Sequence, residues 1–110
     1  MGWMRVLIVE DNLIWSSRVQ QALLALGHEC AQYRPGAIPD CEAAVLGLGF
    51  NAEHLPVVIQ ALQERKIPII AHCGHAEKQL SQKGRDLGCD HVVTNGSLTL
   101  QLQTLLPKTS

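Results

Sequence analysis

The chain has 110 residues, 46% of them hydrophobic and 17% charged, with Lys+Arg 9 against Asp+Glu 10 and a formal net charge of −1. This is the composition and size of one globular domain, 1–110, and it argues against a disordered chain. A near-neutral charge with no basic cluster argues against a nucleic-acid face, and no apolar run approaches the ~18 residues of a membrane helix.

Residues Met1 to Arg5 pass straight into a strand-like segment with no cleavable leader, so a cytoplasmic protein is expected. Val6, Leu7, Ile8 and Val9 form a continuous apolar run, the pattern of a strand buried on both faces of a parallel sheet. It ends at Glu10, Asp11 and Asn12, where Asp11 or Asn12 can cap a helix. That helix carries Ile14, Val19, Ala22, Leu23 and Leu26 at core spacing, and Gly27 stops it. Residues 28–33 read as a second strand, followed by the breakers Pro35, Gly36 and Pro39.

Residues 43–48 form a third buried strand. Leu55, Val58, Ile59 and Leu62 restore helical spacing, with Pro56 tolerable in the first turn. Residues 67–71 are a fourth strand, 77–87 a polar helix stopped by Gly88, and 91–93 a short fifth strand. Ser97 is read as the cap of a last helix carrying Leu98, Leu102 and Leu105 and ended by Pro107. Strands alternating with helices imply a parallel α/β sheet covered on both sides by right-handed crossovers. The link between Tyr33 and Ala43 is too short for a crossover helix, which needs about ten residues beyond its turns. The second helix is therefore short or missing, and the second strand should lie at an edge with one face poorly covered.

Residues 5–12, Arg-Val-Leu-Ile-Val-Glu-Asp-Asn, resemble the opening of bacterial response-regulator receiver domains, whose first strand ends in an acidic pair. Ile67 to Ala71 resembles the family's fourth strand, and Gly88 to Thr94 its segment before the last helix. The resemblance spans essentially the whole chain apart from the second helix. It implies a flavodoxin-like fold, a single doubly wound parallel five-stranded sheet of order 2-1-3-4-5, with the site at the carboxyl ends of the strands.

Receiver domains accept a phosphoryl group on an aspartate ending strand three, beside a Mg²⁺ held by acidic neighbours. In that register the acceptor position holds Gly47, the strand-four hydroxyl position Cys73, and the lysine position after strand five Asn95. The family's next proline is Gly96 here, and Val92 or Val93 falls near its switch aromatic. Glu10 and Asp11 alone remain of the metal site, a weak remnant with too few hard ligands for tight Mg²⁺ binding, so no resident cofactor is expected. The phosphorylation site reads as degenerate.

Two rival chemistries stand beside this. His72, Cys73 and His75 could form a soft-metal or thiol site, although adjacent strand residues point to opposite faces. Gly47-x-Gly49-x-x-Ala52 matches a dinucleotide-binding pattern, but it follows the third strand rather than the first. Trp15 sits beside Ile14, and one helix face cannot bury both; an exposed Trp would mark a partner surface.

The expectation is an atypical receiver, or pseudo-receiver, of two-component (phosphorelay-type) signal transduction. It should be no enzyme, should not be phosphorylated, and should act by protein–protein interaction. The resemblance places the partner, a sensor kinase or other signalling protein or a second copy of the chain, on the face of helix 4, strand 5 and helix 5. With no segment after the last helix, DNA binding in the family's usual way is not expected.

Overall fold

The computed structural model describes residues 3–50 and 53–107. Its elements are β1 (Arg5–Val9), α1 (Leu13–Ala25), β2 (Glu29–Gln32), β3 (Ala43–Gly47), α2 (Leu55–Glu64), β4 (Ile69–Cys73), α3 (Lys78–Asp86), β5 (His91–Thr94) and α4 (Asn95–Leu105). All neighbouring strands are parallel and the order is β2-β1-β3-β4-β5. This is the doubly wound, flavodoxin-like sheet that the family resemblance implied.

The continuous apolar runs do what their pattern requires. Every residue of β3 and β4 is buried, and so are Val6 to Val9 of β1. Side chains alternate between faces. Leu7, Val9, Ala44, Leu46, Ile69 and Ala71 meet Val58, Ile59 and Leu62 of α2, with Leu80 of α3 against them. Val6, Ile8, Ala43, Val45 and Ile70 meet Val19 and Leu23 of α1 and Leu98 and Leu102 of α4.

Three details depart from the sequence reading. On α1 the buried stripe is Ser16, Val19 and Leu23, while Ile14 is 63% exposed and Leu26 has left the core. Ile14 precedes Ser16 by two residues, about 200° around the helix, so the two cannot share a face. Strand β4 runs two residues further than expected and takes in His72 and Cys73. The last helix starts at Asn95 rather than after Ser97: Thr94 is its cap, with Thr94 Oγ1 accepting from Ser97 N at 3.3 Å.

No helix joins β2 to β3. Arg34, Pro35, Gly36 and Ala37 make a tight turn, closed by Ala37 N donating to Arg34 O at 3.2 Å, with Gly36 at φ 80°. Tyr33, Ile38 and Cys41 then pack partly over the core in place of the missing helix. Tyr33 meets Phe50 edge to face at 5.8 Å. Strand β2 lies at the edge and has no fully buried residue.

Candidate functional site

The sheet register builds the site. Val9 pairs with Leu46 at the ends of β1 and β3, and Gly47 pairs with His72 across β3 and β4. Glu10 follows Val9, so Glu10, Gly47 and His72 form a row across three strands. They share the α1/α4 side of the sheet, the side of Ile8, Val45 and Ile70.

Strands β1 and β4 are not neighbours, because β3 lies between them. The Glu10 side chain nevertheless crosses over Gly47 and brings Oε1 to 3.0 Å from His72 Nε2. The glycine makes that passage. A Cβ at residue 47 would lie 2.7 Å from Glu10 Cδ and 2.8 Å from Oε2. Both side chains are buried, Glu10 at 8% and His72 at 2% exposure. Asn12 N donates to Glu10 Oε2 at 3.1 Å, and the Asn12 side chain caps α1.

On its other side the imidazole meets Asn95: Nδ1 lies 2.7 Å from Oδ1. Acceptor oxygens thus flank both ring nitrogens. The contact with Glu10 is close but off the line of a good hydrogen bond, which leaves Nε2 without a hydrogen-bond partner. Burial by itself pushes the Glu10 carboxyl up. The His72 contact and the backbone N–H groups of Asn12 and Asp11 outweigh it and hold the carboxyl below its ordinary range. Trp15 closes the site from α1, its ring centroid 6.3 Å from that of His72, with the Arg18 guanidinium 4.9 Å from the Trp15 ring centre. Trp15, not Ile14, is the half-buried one of the pair.

A cleft of about 500 Å³ opens here, lined among others by Glu10, Asp11, Gly47, His72, Cys73 and Asn95. Glu10, Asp11, Gly47, His72 and Asn95 therefore converge here, whereas Cys73 borders the cleft with its side chain turned away and His75 lies outside it. His75 lines a separate cleft between α3 and α4. Cys73 points to the opposite face of β4 from His72, into the α2/α3 core. Burial and the Glu77 carboxylate push its thiol pKa up, with Arg85 opposing, so His72 does not activate it. Among the described residues no group of three His, Cys, Asp or Glu side chains is placed to hold a metal ion. Mg²⁺ does not fit: Glu10 Oε2 accepts from Asn12 N, Oε1 faces His72, and Gly47 between them offers no further carboxylate. Asn51 and Ala52 of the glycine pattern lie outside the described residues, but the Gly47 end of it faces a carboxylate, a poor neighbour for a pyrophosphate. The role of Glu10 as the reach across the sheet was not visible in the sequence. Gly47 next to an acid on the neighbouring strand end was the only sign of it.

No protein-family model and no curated protein matches the chain. Solved structures do match. The receiver domain of the TMAO respiratory system response regulator TorR superposes with a TM-score of 0.73 at 22% identity, over 92% of this chain and 94% of that one. The chemotaxis protein CheY4 of Vibrio cholerae gives 0.71 at 18% identity, over 96% of this chain and all of its own (100%). A response regulator of Burkholderia pseudomallei, solved with a phosphorylated aspartic acid, gives 0.75 at 14% identity, over 94% and 66%. The chain has the fold of response-regulator receiver domains.

Proposed function

We propose that this chain is a pseudo-receiver of two-component signalling, a contact module rather than an enzyme, working without phosphorylation of its own. One observation carries the reading. The strand-three acceptor position is Gly47, which has no side chain to esterify, and the space above it is filled by the Glu10 carboxylate. Asn95, at the position of the family's lysine, engages His72 instead of a phosphoryl oxygen. The degenerate site is therefore Gly47, Cys73 and Asn95, with Glu10 turned inward. The rival metal, thiol and nucleotide readings find no support in this geometry.

The signal then passes by contact. The face of α3, β5 and α4 corresponds to the family's docking face. It holds a cleft of about 540 Å³ lined by Lys78, Gln82, Arg85, Val92, Ser97 and Gln101, among others. At the start of α1, Leu13 is 84% exposed and Ile14 63%, an apolar pair beside the site that suits a protein partner. A sensor kinase or another signalling protein is the expected class of partner, and a second copy of the chain is an alternative. Four free cysteines and the absence, among the described residues, of any helix able to cross a membrane fit a cytoplasmic setting.

Incubation with acetyl phosphate and Mg²⁺, followed by intact mass spectrometry, tests the reading. No adduct is expected, and a gain of ~80 Da on this chain would overturn it.

A further inference from the structure

We propose that Glu10, His72 and Asn95 form an internal relay that sets how the first turn of α4 packs, so that displacing Glu10 at the strand ends loosens α4.

These residues touch in series, through a close polar contact at His72 Nε2 and a hydrogen bond at His72 Nδ1. Asn12 N holds Glu10 Oε2, Glu10 Oε1 meets His72 Nε2, and His72 Nδ1 meets Oδ1 of Asn95, the first residue of α4. Neighbouring strands stand about 4.8 Å apart, so β1 and β4 are separated by roughly 10 Å. A glutamate side chain spans much of that gap, and only a glycine on the intervening strand leaves room for it. The first residue of α4 is thus tied through two buried side chains to the residue after β1. Helix α4 also forms one wall of the α3/α4 cleft, through Ser97 and Gln101. A shift of Glu10 would therefore be felt at that cleft, on the β5 side of the sheet. A side chain added at Gly47 forces such a shift. So does an anionic group that takes the place of Glu10 at His72. The coupling holds whether or not the chain ever meets a phosphoryl donor.

Backbone amide exchange at residues 98–101, the first amides bonded within α4, reads the relay at its far end, and Trp15 emission in a Trp3→Phe background reads it at His72. Gly47→Ala should change Trp15 emission and raise exchange at 98–101 about fivefold, the weight of one buried polar contact. Asn95→Ala should raise it by a similar factor, with residues 19–23 of α1 unaffected. The double variant should exchange no faster than the faster single one, because both break the same chain of contacts. Multiplied effects in the double variant, or altered Trp15 emission with unaltered exchange at 98–101, would overturn the proposal. So would unaltered exchange in both single variants. If Gly47→Ala does not fold, Glu10→Ala takes its place in the cycle and the same two outcomes decide.

Discussion

The Glu10 carboxylate lies against the open face of Gly47, where a Cβ would come within 2.7 Å of its Cδ. Each residue explains the other, because the acid can reach His72 only over a bare backbone. Gly47→Ala should therefore destabilise the fold by about 1–3 kcal/mol in urea titration, the usual range for overpacking a filled site. Adding Glu10→Ala should recover part of that loss. Losses that simply add would mean the carboxylate does not hold the space.

The depressed pKa of Glu10 has a signed consequence. Its folded value lies below its ordinary value of 4.5, so its contribution is fully present above 4.5 and is lost as pH falls through the folded value. The melting temperature of the wild type should fall relative to Glu10→Gln as pH is lowered from about 4.5, the gap narrowing with acid. Parallel curves for the two proteins would contradict the assignment.

Three helices end alike, and one of them uses the wrong residue. His28 N donates to Leu23 O, Ile67 N to Leu62 O and Cys89 N to Gly84 O, each across a residue of positive φ. Two of these are glycines, Gly27 and Gly88, but the third is Lys66 at φ 58°. Lys66→Gly relieves the left-handed strain and gives back part of the gain in backbone entropy. A net stabilisation of about 0.5 kcal/mol is expected in thermal melts. A lower melting temperature would refute it.

At the other end of α1, Asn12 Oδ1 accepts from Ile14 N at 3.0 Å and from Trp15 N at 3.1 Å. Asn12→Ala should cost about 1 kcal/mol, whereas Asn12→Asp should keep the cap. Denaturant midpoints for the two variants that coincide would show that this cap adds nothing.

The thiols offer a check on the redox alternative. Burial, followed by the Asp90 charge, raises the Cys89 pKa to about 11, and Cys73 is 6% exposed with its pKa also raised. At pH 8, Cys89 should alkylate about 100-fold more slowly in the folded chain than in the unfolded one, in proportion to its thiolate. Cys73 should also be slower than its unfolded counterpart. Peptide mapping that finds Cys73 faster on folding would restore it as a reactive group.

The sequence by itself determined the layers of this protein. Runs such as Val6–Val9 and 43–48 can only be buried on both sides, and the short link after Tyr33 leaves no room for a helix, so the sheet, its edge strand and the missing helix were all legible. So was the bare backbone at the end of β3, since Gly47 carries no side chain. Only the tertiary structure decided what fills the space above it. Register across β1, β3 and β4 sets Glu10, Gly47 and His72 in one row, and that register is a property of three strands distant in sequence. The β4 and α4 boundaries were missed for a related reason. His72, Cys73 and Asn95 are polar or ambiguous by local preference, and it is pairing with a neighbouring strand and capping by Thr94 that assign them.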